Sequence, residues 1–156
     1  MKIWKHLPTK HIFLDIPIHD KKAVFQFVAD TCKRENIVED EVKIYDGMLA
    51  REETASTGIG KGLGFPHTTN PDIEEAYVFL IRPEKPIDFD ALDDEPVDIV
   101  LALLIPENKT TLHLQVLAGL SRLCKEPKFL EAIRNAEDVE PLLEEIVNLE
   151  EKIAIQ

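Results

Sequence analysis

The sequence predicts a single α/β domain in which helices cover both faces of a sheet. Three observations lead there. "AYVFLIR" (Ala76–Arg82) has the aromatic and β-branched content of a strand. "PVDIVLALLIP" (Pro96–Pro106) alternates at first and then runs apolar without interruption, as a central strand covered on both faces does. Segments of helical periodicity stand before and after these strands, the order expected of a layered α/β fold.

The elements follow in chain order. Asp20 is suited to cap a helix running to about Arg34, with Val24, Phe27, Val28 and Thr31 on one face. Asp40 is suited to cap a second helix to about Arg51, with Val42, Tyr45 and Leu49 on one face. Gly47 weakens that helix by about 1 kcal/mol relative to Ala. A glycine-rich stretch follows, to which no strand is assigned. Between the two predicted strands, "DALDDEP" (Asp90–Pro96) reads as a turn or loop. Thr110 or Thr111 is suited to cap a helix to about Lys125, and two shorter helices follow near Lys128–Asn135 and Val139–Glu151. No repeat, low-complexity tract or Pro/Gly/Ser-rich linker divides the chain. One domain over residues 1–156, with a core at about 12–150, is expected.

Composition narrows the function. Hydrophobic residues make up 44% and charged residues 31%, as in an ordinary soluble globular protein. The formal net charge of -12 argues against non-specific binding to nucleic acid or to anionic membranes. The acid is uneven: Glu137–Gln156 holds seven carboxylates and one Lys, which reads as a solvated helix face. Cys32 and Cys124 have neither metal spacing nor a CxxC pattern, so reduced thiols in a cytoplasm are expected. No leader and no apolar run near 18 residues is visible, so neither secretion nor membrane insertion is expected.

The segment "STGIGKGLGFPHTT" (Ser56–Thr69) carries the chemistry. Gly58, Gly60 and Gly62 recur at every second residue, which suits either a plain turn or a nest of backbone N–H groups around an anion. The pattern is neither a Walker A loop nor a GxGxxG turn. Pro66 fixes its own φ and biases Phe65 toward extended backbone, so His67 sits at a stiff point. A His held this way is a nucleophile, a metal ligand, a general base or a hydrogen-bonded structural residue. His113 falls in the first turn of its helix, on the face of Val116, Leu117, Leu120 and Cys124. It is either a core His or a neighbour of an anion at the helix N-terminus. Arg51, near a helix end, is either a cap for C-terminal carbonyls or a planar donor to phosphate oxygens. Two imidazoles, a guanidinium and a glycine nest suit a phosphoryl group better than a carbonyl. A metal-dependent hydrolase using His67, His113 and a carboxylate such as Asp72 is the rival from another class, although the His spacing is no ligand motif.

"REETASTGIGKGLGFPH" (Arg51–His67), "PIDFDALDDEPVDIVLALLIP" (Pro86–Pro106) and "HLQVLAGLSRL" (His113–Leu123) together resemble the type-2 IIA proteins of the phosphoenolpyruvate:sugar phosphotransferase system. These are the fructose–mannitol and nitrogen-related IIA components. The resemblance spans roughly Asp20 to Glu145 and implies a mixed sheet with helices on both faces. It implies that His67 accepts a phosphoryl group from phospho-HPr, with no cofactor or metal, and passes it to a IIB component or holds it as a signal for a regulated protein. Arg51 and His113 match the family's partners at that site. The backbone around Thr57, Gly58 and Gly60 is expected to hold phosphate oxygens. Leu63 and Phe65, with Ile59, are expected to form an apolar docking rim. The family's usual G-I-A-I-P-H reads here Gly62-Leu63-Gly64-Phe65-Pro66-His67, with the Pro-His pair kept. The Pro86–Pro106 block looks closest to the nitrogen-related members.

Overall fold

A computed structural model describes residues 2–155, and side chains as far as residue 153. The chain opens with two short 3₁₀ turns, Ile3–His6 and Thr9–His11, and a strand β1 (Ile12–Ile16). Helices α1 (Lys21–Arg34) and α2 (Glu41–Thr54) follow. Three short strands come next: β2 (Gly58–Gly60), β3 (Leu63–Gly64) and β4 (His67–Asn70). The long strands β5 (Tyr77–Pro83) and β6 (Ile99–Pro106) complete the sheet, and α3 (Thr110–Cys124), α4 (Pro127–Asn135) and α5 (Val139–Ile155) close the fold.

Strand β6 organises the molecule. The sheet order is β1-β5-β6-β3-β2, with β4 also on β6, beyond β3. Strands β3 and β4 run parallel to β6, while β5 runs antiparallel, so the sheet is mixed. All eight β6 residues are buried, and the two-residue period divides them between two cores. Ile99, Leu101, Leu103 and Ile105 pack with Val116, Leu120, Phe129 and Ile146 of α3, α4 and α5. Val100, Ala102 and Leu104 pack with Val24, Phe25, Ile44 and Met48 of α1 and α2. Helices therefore cover both faces, as the sequence predicts.

Some local expectations are corrected. The stripe of α2 that faces the sheet is Ile44, Met48 and Glu52, at steps of four; Tyr45 and Leu49 are half-buried, and Val42 is exposed at the helix start. Helix α3 is preceded by Lys109, with no side chain capping it, so neither Thr110 nor Thr111 is its cap. The predicted caps of α1 and α2 hold: Asp20 accepts from the Ala23 N–H and Asp40 from the Val42 N–H. Gly47 has a packing reason. A Cβ there would run into the Thr68 hydroxyl, because α2 crosses close over β4.

Candidate active site at the start of strand β4

The position of His67 follows from a discontinuity beside β6. Strand β3 pairs with Ile99 and Val100, and β4 resumes the pairing at Leu103. Phe65 and Pro66 bridge the gap. The Phe65 N–H donates to the Thr57 carbonyl at 2.9 Å, and the Pro66 carbonyl accepts from Leu103 N–H at 3.0 Å. Pro66 has no N–H to leave unpaired at this break. His67 is in register with Leu103, so its ring lies on the α3 side of the sheet.

The ring is anchored at one nitrogen. Nδ1 lies 2.8 Å from the Phe65 carbonyl oxygen. A carbonyl can only accept, so Nδ1 carries the proton and donates it, and neutral His67 keeps its lone pair on Nε2. Burial pulls the pKa of His67 below the ordinary imidazole value. The Phe65 carbonyl pushes it up, the charges of Arg51 and His113 push it down, and the Glu52 carboxylate pushes it up again. The result is a neutral, half-buried imidazole with a free lone pair.

His113 stands against it. The two ring centroids are 5.9 Å apart and the planes meet at 73°, edge to face. His113 lies in the first turn of α3, as expected, but half-buried rather than sealed in the core. Its Nε2 is buried with no hydrogen-bond partner among the described residues. An unpaired buried nitrogen costs about 1–3 kcal/mol, a cost that a ligand at this place would remove.

Arg51 occupies the last turn of α2 and donates through Nη1 to the Ala55 carbonyl at 2.9 Å. It thus caps the helix end and also places its charge where it bears on His67. The glycine stretch proves to be a hairpin of β2 and β3, with Lys61 and Gly62 both at positive φ in the turn. The N–H of Thr57 is taken by Glu52 and that of Gly58 by the Ser56 hydroxyl at 3.0 Å. Gly60 sits at φ +98° beside Asp93. Thr57 and Gly58 therefore present no unoccupied N–H, and Gly58 and Gly60 lie on the edge strand against Phe89, Ala91 and Asp93.

The expected docking rim is rearranged. Leu63 is 2% exposed and belongs to the core with Ile99 and Leu101, because β3 is an inner strand; it is not available for docking. Phe65 is half-buried against the same core. Among the described residues the exposed large apolar side chains are Val42 at the start of α2, Ile59 on the edge strand, Leu92 beside it through its N–H bond to the Gly58 carbonyl, and Leu114 next to His113 in sequence. Asp72 lies past the end of β4, where its N–H binds the Asn70 side chain. Among the described residues no group of three His, Cys, Asp or Glu could hold a metal ion. Both thiols are buried, and burial pushes their pKa values up to about 12. Among the described residues no helix is long and apolar enough to cross a membrane.

One residue that sequence reasoning passed over is central. Glu52 is buried, and its carboxylate accepts from Thr57 Oγ1 at 2.6 Å, from the Thr57 N–H at 3.1 Å, and from Lys21 Nζ at 3.4 Å. The signal available was its step of four from Ile44 and Met48, which puts it on the sheet-facing stripe.

A family model described as "Phosphoenolpyruvate-dependent sugar phosphotransferase system, EIIA 2" matches residues 5–149. The chain is 31% identical over 137 residues to a nitrogen regulatory protein of Pseudomonas aeruginosa, covering 88% of this chain and 89% of that one. It is 33% identical over 143 residues to the fructose-specific EIIA component of the Haloferax volcanii phosphotransferase system, covering 90% and 93%. The crystal structure of nitrogen regulatory protein IIA-Ntr from Neisseria meningitidis superposes with a TM-score of 0.84 at 31% identity, over 92% of this chain and 98% of that one. With the mixed sheet, the two-layered helical cover and a match over nearly the whole chain, the protein belongs to the type-2 EIIA family of the phosphoenolpyruvate-dependent phosphotransferase system.

Proposed function

We propose that the protein is a phosphohistidine carrier of the nitrogen-related type, charged on His67 by a phospho-HPr-like donor. The observation that carries this reading is the Nδ1–H bond to the Phe65 carbonyl, which leaves the lone pair on Nε2. That lone pair attacks the donor's phosphorus in line. The new bond is P–Nε2, and the bond from phosphorus to the donor nucleophile breaks, its electron pair leaving with the donor. Nδ1 keeps its proton throughout, and no oxidant or reductant is needed. The transition state is loose and spreads charge over the equatorial oxygens, so positioning and cationic neutralisation do most of the work. Arg51 supplies the cation, and His113 donates a hydrogen bond that its present surroundings leave unused. The phosphoryl group then passes to a IIB component, or stays as a mark that decides which protein the carrier touches.

The nitrogen-related assignment rests on the likeness to two nitrogen regulatory proteins; the fructose-specific relative keeps the sugar-transport reading as the second. One experiment addresses both. The protein is incubated with phosphoenolpyruvate, enzyme I and the HPr of the sugar or nitrogen branch, and its intact mass is measured. Uptake of one acid-labile, base-stable phosphoryl group, lost in His67→Ala, is expected, and faster with the nitrogen-branch donor. Stoichiometric uptake by His67→Ala would remove His67 as the acceptor.

A further inference from the structure

Glu52 makes no hydrogen bond to His67, Arg51 or His113 among the described residues, yet its charge bears on His67 and its carboxylate is fully engaged. Its side chain is 2% exposed. Burying a carboxylate costs free energy unless donors surround it. Here three donors do: the N–H and hydroxyl of Thr57 and the ammonium of Lys21. Lys21 in turn reaches Asp90 at 3.0 Å, which ties α1 to the loop before β6. On the far side of Thr57 the connection continues. The Thr57 carbonyl accepts the Phe65 N–H at 2.9 Å, and the Phe65 carbonyl accepts His67 Nδ1–H at 2.8 Å.

We propose that Glu52 is a positioning residue for His67: by clamping Thr57 it fixes the Phe65 carbonyl, and that carbonyl holds the imidazole as its Nδ1–H tautomer with Nε2 free. The use made of the free Nε2 rests on the phosphocarrier reading; the tautomer itself does not. The chemistry requires a carboxylate at this place. Both carboxylate oxygens accept: one takes the Thr57 hydroxyl at 2.6 Å and its N–H at 3.2 Å, the other the same N–H at 3.1 Å and the Lys21 ammonium at 3.4 Å. A Gln of the same shape keeps one acceptor oxygen, loses the charge that pairs Lys21, and turns an NH₂ toward one set of these donors. Thr57 then has to move, and the Phe65 carbonyl moves with it. The neighbouring Glu53 is exposed and serves as the control for charge alone.

The test reads the tautomer directly in the unphosphorylated protein. Long-range ¹H–¹⁵N correlation spectra of the His67 ring are recorded at about pH 8, well above the ordinary histidine range. The wild type is expected to show a protonated Nδ1 and an unprotonated Nε2. Glu52→Gln and Thr57→Val are expected to shift both nitrogens toward the averaged values of an exchanging ring. Thr57→Ser and Glu53→Gln are expected to keep the wild-type pattern. Transfer to Glu52→Gln should slow about ten- to a hundred-fold, the usual effect of a reacting group displaced by a fraction of an ångström to an ångström. Wild-type ring shifts in a folded Glu52→Gln would overturn the proposal. If that variant does not fold, wild-type shifts in Thr57→Val overturn it instead. A wild-type protein that shows the fixed tautomer but takes no phosphoryl group from either donor would sink the carrier reading and leave the clamp standing.

Discussion

Two histidines in this protein are held neutral by the same force and for different ends. His67 and His11 are both pulled below the ordinary imidazole pKa chiefly by burial. His11 is wholly buried, lies 4.4 Å from the Phe79 ring centroid, and gives its Nε2 proton to Glu35 at 2.8 Å. The Glu35 carboxylate pushes its pKa back up without overcoming desolvation. The unfolded chain therefore takes up protons at these positions before the folded one does. Their stabilisation is complete above the unfolded value of about 6.5 and is lost as pH falls from there toward the depressed folded values. Urea unfolding at a series of pH values between about 7.5 and 5 should show stability declining with acid, and His11→Gln should flatten that decline. An identical slope in the variant would remove His11 as a source. At the same scale, Arg51 is predicted to act on the phosphoryl group more than on the fold. A guanidinium grips two oxygens at once and an ammonium cannot. Arg51→Lys should cost about 2–3 kcal/mol of transition-state stabilisation, roughly a thirty- to hundred-fold slower transfer, with little change in thermal midpoint. Near-normal transfer in that variant, or a large loss of midpoint with transfer per folded molecule unchanged, would leave Arg51 as the cap on Ala55 alone.

The helices were legible as elements because each carries a period and several carry a marked start. Asp20, Asp40 and Pro127 mark three of the starts, and the runs between them bury every third or fourth residue. Strands β5 and β6 were legible because they bury nearly everything. Strands β2, β3 and β4 were not, for a physical reason. They are three, two and four residues long, too short to display an alternation, and glycines occupy most of the first two. What makes them strands is β6 beside them, a tertiary cause that the local sequence does not carry. The candidate site shares that division. His67, Arg51 and His113 stand out by residue type and setting. Their meeting depends on β4 resuming at Leu103 and on α2 crossing β4, neither of which spacing reveals. Leu63 belongs to the expected rim, but its strand turns it inward, and Leu92 from the loop before β6 stands exposed. The hairpin turn itself is pinned from a distance, since Arg134 of α4 binds Asp98 at 2.7 and 2.9 Å and reaches the Lys61 carbonyl at 2.6 Å.

For the whole molecule the dominant electrostatic fact is the surplus of acid, a formal charge of -12 on 156 residues. Most of the ion pairs that offset it have at least one well-exposed partner: Lys10 with Glu35, Lys21 with Asp90, Arg82 with Asp15. Such pairs contribute about 0–1 kcal/mol each. Asp88, Asp93, Asp94 and Glu95, and the carboxylates of Glu137–Glu145, have no ion-pair partner among the described residues and repel one another over longer distances. Short pairs and long-range repulsion respond differently to salt. The screening length falls from about 30 Å at 0.01 M to about 10 Å at 0.1 M, which removes repulsion across the molecule before it weakens contacts near 3 Å. Phosphorylation would add close to two further negative charges at pH 7, next to Arg51 but within the same field. The protein is therefore predicted to gain stability with ionic strength. Raising sodium chloride from about 0.01 to 0.3 M should lift the thermal midpoint by about 2–4 °C, the shift that 1 kcal/mol produces in a chain of this size. Calorimetry at constant pH across that range decides it. A midpoint that falls with salt would mean that the ion pairs outweigh the net repulsion, and that the acid surplus is spread too thinly to strain the fold.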